Sequence, residues 1–187
     1  MQIRCALVGM PGSGKSTVGR HLAQRLKVPF IDLDHQLEQV LKTSIRQFFE
    51  AEGEARFRDI EAQVLAKVTA RPGGMVLSTG GGAVLRPENR QVLRDFGNVL
   101  YLRASPEEIF KRVKHDRTRP LLQVNNPLQK LRELYAQRDA LYREAATYVI
   151  ETGWPTVQTL VNMIMMQLEM APPLAAPASP SEVLSKQ

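Results

Sequence analysis

Apolar residues along this chain fall into short unbroken runs that alternate with stretches of helical spacing. Ile3 and Cys5 to Val8 form the first run, followed by Val18, Leu22 and Leu26 at four-residue intervals, a strand and then a helix. Val28 to Asp34 predicts a short strand ended by two acids, and Gln36 to Leu41 begins a helix. Ser44 is an N-cap for a short helical piece carrying Ile45, Phe48 and Phe49. From Glu54 to Ala70, the spacing of Phe57, Ile60, Val64, Leu65 and Val68 is helical, closing at Arg71-Pro72-Gly73-Gly74. Met75 to Ser78 predicts a third strand, Pro87 to Phe96 a helix, and Val99 to Leu102 a fourth strand. Ser105-Pro106-Glu107-Glu108 is a capping box with proline at the first helical position. The polar, charged span 115–126, broken by Pro120 and Pro127, predicts a mobile loop. A long helix to about Ala146, a strand at Tyr148 to Ile150 and a helix carrying Val157, Leu160, Val161, Ile164, Met165 and Leu168 complete the series. Alternating strands and helices predict an α/β fold, a parallel sheet covered on both faces with ligands at the carboxyl ends of its strands.

Composition narrows this picture only a little. With 187 residues, 43% of them hydrophobic, the chain suffices for one well-buried domain, expected over residues 1–170. From Ala171 the composition turns to Pro, Ala and Ser, and residues 171–187 are expected to form a disordered tail. The net charge of +6 comes from dispersed cations with no aromatic-rich basic stretch, so an anionic small molecule is expected as partner and nucleic acid is not. The single cysteine, Cys5, lies in the first strand pattern as a small core residue and suggests a reducing compartment. Neither a signal peptide nor a run of membrane-spanning length is expected, so the reading is a cytoplasmic protein without membrane contact, and a monomer.

Between the first strand and helix stands Gly9-Met10-Pro11-Gly12-Ser13-Gly14-Lys15-Ser16, the pattern G-x-x-x-x-G-K-[ST] in its required strand–loop–helix setting. Unhindered backbone N–H groups of Gly12, Ser13, Gly14 and Lys15 converge there on phosphate oxygens, at the positive end of a helix. Lys15 then reaches the β- and γ-phosphates of ATP or GTP, and the Ser16 hydroxyl ligates Mg²⁺. Thr17 closes the same nucleotide-binding run. Asp32 and Asp34, two apart at a predicted strand end, project to one face, one placed for magnesium and the other for substrate. Gly80-Gly81-Gly82 forms a second loop where backbone can approach a ligand. Arg119, in the polar loop, is placed to close over a transferring phosphate. Arg58 is three residues from Glu61 and on spacing alone reads as a surface ion pair, while Arg138 alone carries no message.

The ordered set Gly9 to Ser16, Asp32-Leu33-Asp34, Phe57-Arg58-Asp59-Ile60-Glu61, Gly80-Gly81-Gly82, Arg119-Pro120-Leu121-Leu122 and Arg138-Asp139-Ala140-Leu141-Tyr142 closely resembles the shikimate kinases, across nearly the whole chain before the tail. The resemblance implies a nucleoside-monophosphate-kinase-like P-loop fold in three layers, with a five-stranded parallel sheet, a substrate-binding helical flap at about 34–62 and a lid at about 114–126. It also implies transfer of the γ-phosphoryl of ATP to the 3-hydroxyl of shikimate, with Mg²⁺ as cofactor, in aromatic amino-acid synthesis. By the same likeness Asp34 meets the shikimate hydroxyls, Arg58 and Arg138 its carboxylate, and the Gly80, Gly81 and Gly82 backbone its ring. Asp32 is then left for the metal, Arg119 is the lid arginine, and Arg112 lies near adenine with the Trp154-Pro155 turn. Ala140 stands where the family commonly has proline, a change expected to affect only local helix geometry. A gluconate kinase of the same fold would share the nucleotide loop without needing both arginines and the triple glycine. A nucleotide-gated binding module would be expected to have lost Lys15, Asp34 or Arg119, and all three are present.

Overall fold

The computed structural model describes residues 3–114, 124–153 and 155–170. Five parallel strands, β1 (Arg4–Val8), β2 (Phe30–Asp32), β3 (Met75–Ser78), β4 (Asn98–Arg103) and β5 (Tyr148–Glu151), form one sheet in the order β2-β3-β1-β4-β5. The helices are α1 (Lys15–Leu26), α2 (Leu33–Leu41), α3 (Ile45–Thr69), α4 (Pro87–Phe96), α5 (Pro106–Val113), α6 (Pro127–Ala145) and α7 (Val157–Met170), with a 3₁₀ turn at Ala83–Leu85. The unbroken apolar runs of the central strands follow from burial on both faces. Ala6, Val8, Leu77, Val99 and Tyr101 pack in one core with residues of α2, α3, α4 and α6, whereas Cys5, Leu7, Val76, Leu100 and Leu102 face α1 and α7. Cys5 is fully buried, and burial pushes its thiol up to about 12, so it is a core residue without nucleophilic character.

Local signals start the helices where the sequence places most of them. Ser105 Oγ accepts from the Glu108 N–H and Glu108 Oε2 from the Ser105 N–H, closing the capping box of α5. The Asn126 side chain caps α6 by accepting from the Gln129 N–H, and Ser44 caps α3 through the Gln47 N–H. The two helical pieces read on either side of Gly53 run together as α3, broken only by the non-helical backbone of Gly53 (φ 79°). One boundary differs in a way that matters. The second strand ends at Asp32 and α2 begins at Leu33, so Asp34 sits in the first turn of a helix and not on a strand. Asp32 Oδ1 accepts from the Asp34 N–H and is the N-cap that starts this helix early. α6 runs through Ala140 without interruption.

Candidate active site

The strand order places β1, β2 and β3 side by side, and their carboxyl ends open onto a cleft of about 300 Å³. Its walls are Pro11, Gly12 and Gly14 to Thr17 from the β1–α1 loop and the start of α1, Asp32 and Asp34 at the β2–α2 junction, and Ser78 to Gly81 at the end of β3 and just beyond it. This is the edge at which open parallel sheets bind ligands.

The first wall is local in origin. Gly14 adopts φ 96°, a left-handed conformation closed to most residues, and serves as the N-cap of α1 without a side-chain cap. Lys15, the first residue of that helix, is not the solvent-facing side chain that a loop position suggests. It is 8% exposed, and its Nζ donates to the carbonyl oxygens of Gly9 and Met10, each at 2.9 Å. Ser16 Oγ donates to Asp32 Oδ2 at 2.7 Å, joining the start of α1 to the end of β2. Arg112 of α5 reaches the other flank of the loop: its guanidinium donates to Thr152 and approaches the Ser13 carbonyl at 3.5 Å. Pro155 follows that segment and is partly buried.

The second wall is assembled from distant segments. A Cβ added at Gly80 would sit 2.7 Å from Asp34 Oδ1, and one at Gly82 would collide with the Arg58 guanidinium, so the glycine run lets both side chains press against the backbone. The carbonyls of this run are all occupied. Gly80 O accepts from the Ala83 N–H, Gly82 O from the Leu85 N–H, and Gly81 O from the Tyr142 hydroxyl at 2.6 Å. What the loop offers a ligand is therefore its N–H groups, suited to oxygen acceptors.

Arg58 is far from the surface ion pair that its spacing suggests. Only 13% of its side chain is exposed, it donates to Glu61 Oε2 at 2.6 Å and to Glu54 Oε1 at 3.0 Å, and it lies over the rings of Phe49 and Phe57. Glu61 is 1% exposed, and burial raises its pKa while the charges of Arg58 and Arg138 oppose the rise. Arg138 of α6 thus acts electrostatically on the same glutamate as Arg58, although 80 residues separate them in sequence. Its Nε is buried without a hydrogen-bond partner among the described residues. Asp34 also has a raised pKa, chiefly from burial and then from the Asp32 charge, with Lys15 and Arg58 acting against it.

The structure brings Gly12 to Thr17, Asp32, Asp34, Arg58, Gly80 to Gly82 and Arg138 around one edge of the sheet, with Arg112 at its flank. Arg119, Trp154, most of the 114–126 span and the tail at 171–187 lie outside the described residues. Among the described residues no helix is long and apolar enough to cross a membrane. Sequence reasoning gave Tyr142 no role, although it is the partner of Gly81, and did not name Asn89 and Arg90 beneath the 3₁₀ turn. Asn89 and Arg90 carried a signal, since they fall four and three residues before Leu93 on the face that α4 buries, where polar residues need a reason.

The family model described as shikimate kinase matches residues 11–169. A shikimate kinase of Paracidovorax citrulli (strain AAC00-1) is 59% identical over 91% of this chain and 94% of its own length. One from Ralstonia nicotianae (strain ATCC BAA-1114 / GMI1000) is 54% identical over 96% of this chain and 95% of its own. Among solved structures, the shikimate kinase from Acinetobacter baumannii in complex with shikimate superposes with a TM-score of 0.85, at 44% identity over 90% of this chain and 94% of that one.

Proposed function

The chain belongs to the shikimate kinase family, and from that premise we propose that its cleft transfers the γ-phosphoryl of ATP to the 3-hydroxyl of shikimate, giving shikimate 3-phosphate and ADP. The observation that carries the substrate side is that Arg58, ion-paired to the buried Glu61, and Arg138, on a separate helix, both act electrostatically on that glutamate, with the Arg58 guanidinium against Gly82 of the glycine loop. Glu61 takes Nη1 of Arg58 and the exposed Glu54 its Nε and Nη2, while the buried Nε of Arg138 is left with donor capacity. Two cations so placed suit a ligand-borne carboxylate, which on Arg58 would take the place of the exposed Glu54, and fix a ring between themselves and the phosphate loop. The N–H groups of Gly80, Gly81 and Gly82 supply donors to oxygens of the same ligand.

On the nucleotide side, backbone N–H groups from Gly12 to Thr17 hold the phosphates, with Arg112 and Pro155 beside adenine and Arg119 on the transferring group. Lys15 moves from the Gly9 and Met10 carbonyls to the phosphate oxygens. Asp34 meets the acceptor hydroxyl, and its raised pKa makes it a better proton acceptor than an ordinary aspartate. Ser16 and Asp32 fit Mg²⁺: two hard oxygen donors lie 2.7 Å apart at the cleft wall, and no group of three or more His, Cys, Asp or Glu side chains forms a cage among the described residues. That is the donor set of an ion held by one or two side chains together with phosphates and water, and when bound it neutralises charge on the β- and γ-phosphates.

A coupled ADP-release assay against shikimate, gluconate and nucleoside monophosphates tests the reading, with ³¹P NMR of the product locating the ester. Shikimate is expected to give the highest kcat/KM and a 3-phosphate. Faster turnover of gluconate, or a phosphate on another hydroxyl, overturns it.

A further inference from the structure

The glycine loop is shaped from below by a residue that does not line the cleft. Arg90 of α4 is 8% exposed, an unusual burial for a guanidinium, which demands hydrogen bonds in return. Its partners are specific. Nη1 donates to Val84 O at 2.8 Å and approaches Leu85 O at 3.4 Å, and Nε donates to Glu144 Oε1 at 2.9 Å. Asn89 adds a bond from Nδ2 to Ala83 O at 2.9 Å. All three carbonyls of the 3₁₀ turn, groups that a short helical turn leaves without internal partners, are therefore held by two consecutive side chains of α4. The turn's own N–H groups at Ala83 and Leu85 in turn occupy Gly80 O and Gly82 O. Glu144, meanwhile, belongs to α6, two residues beyond Tyr142, which occupies Gly81 O.

We propose that Arg90 is a positioning residue for shikimate: by fixing the 3₁₀ turn and tying it to α6, it keeps the three glycine carbonyls turned inward and their N–H groups facing the substrate. The inference rests on the proposed role of that loop in binding shikimate. Lysine would preserve the charge but not the fork that reaches two backbone carbonyls and a carboxylate from one rigid plane. Among the described residues the hydrogen bonds of Arg90 go to Val84, Leu85 and Glu144 and none to the nucleotide wall, so its effect is expected to fall on one substrate and spare the other.

The test pairs steady-state kinetics with amide spectra of ¹⁵N-labelled full-length protein. In the wild type, shikimate is expected to shift the Gly80, Gly81 and Gly82 amide signals; if it does not, the reading of the loop itself fails. With that established, Arg90→Met is expected to raise KM for shikimate roughly ten- to a hundredfold, the size that displacement of a binding group brings, with KM for ATP within about twofold. Arg90→Lys should recover part of the loss, and its glycine amides should respond to shikimate at proportionally higher concentration. Glu144→Ala, at a half-exposed carboxylate, serves if Arg90→Met does not fold, and should raise the same KM in the same direction by a smaller factor. Variants that keep wild-type KM for shikimate, or raise both KM values together, overturn the positioning role.

Discussion

The two walls of the cleft are built in opposite ways. The phosphate wall is one contiguous stretch, residues 9 to 17, whose shape comes from its own glycines and the helix that it starts. The wall proposed for shikimate draws on α2, α3, the loop after β3, α4 and α6, and on bonds among them: Tyr142 to Gly81, Arg58 to Glu61, Arg90 to Val84 and Glu144. A local motif carries its geometry wherever a strand and helix can flank it. An assembled wall exists only in the folded domain, and each of its bonds is a point at which substrate binding and stability are coupled.

This contrast is sharpest in the sizes of the expected effects. Lys15→Met should abolish turnover, since a cation on the transferring phosphoryl group is worth on the order of 10³–10⁵ in kcat. Because the aliphatic stem of methionine can follow that of lysine, circular dichroism should show an intact fold; near-normal kcat would remove the proposed chemistry. Asp34→Asn keeps the shape and loses the carboxylate, with kcat expected to fall by about 10²–10⁴. A raised KM at unchanged kcat would make Asp34 a binding residue only.

The arginines come next. Arg138→Ala should lower kcat/KM for shikimate by about 2–5 kcal/mol in transition-state stabilisation, roughly 30-fold to several thousandfold, with ATP binding little changed. Arg58→Ala should match it and also lower Tm, because Glu61 is then left buried without its cation, a loss of about 3–5 kcal/mol. The double variant should lose less kcat/KM than the sum of the singles, measured by a double-mutant cycle, as both act on one group. Two single variants of wild-type kcat/KM would end the carboxylate clamp.

The smallest effect concerns stability against pH. The folded state raises the pKa of Asp34, so it binds a proton there more readily than the unfolded chain does. The stability that this contributes is present below the unfolded pKa and is lost as pH rises through the folded one. At neutral pH ionised Asp34 is therefore a liability that Asn removes, and ligand-free Asp34→Asn should melt higher than wild type. Calorimetric scans should show that gain shrinking as pH falls through the raised folded-state pKa of Asp34 and gone below the usual carboxylate range. A Tm difference independent of pH would mean that Asp34 is not held in a destabilised ionised state.

How much was legible in the sequence follows the same division. The strand, loop and helix around Lys15, the caps at Ser44 and Ser105, and the two-faced apolar strands could all be read locally, because each depends on residues within one or two turns of one another. The reading that set Asp32 and Asp34 on one strand face used a two-residue period, and it failed because Asp32 caps a helix that begins one residue later. Arg58 looked like a surface residue, since the spacing along its helix does not announce that Phe49 and Phe57 will turn to cover it across the Gly53 break or that the charge of Arg138, on α6, will act on the same glutamate.

By itself, then, the sequence determined the α/β class, the phosphate loop and, through the order and spacing of its motifs, the family. Short-range sterics and hydrogen bonding are sufficient for the first two, and a long ordered set of motifs for the third. Only the tertiary structure decided that Arg58 is buried, that the carbonyls of Gly80 to Gly82 face inward, and that Arg90 holds the turn behind them. Those facts depend on which helices pack together and on which buried polar groups must find partners once water is gone, and neither is specified within any single segment.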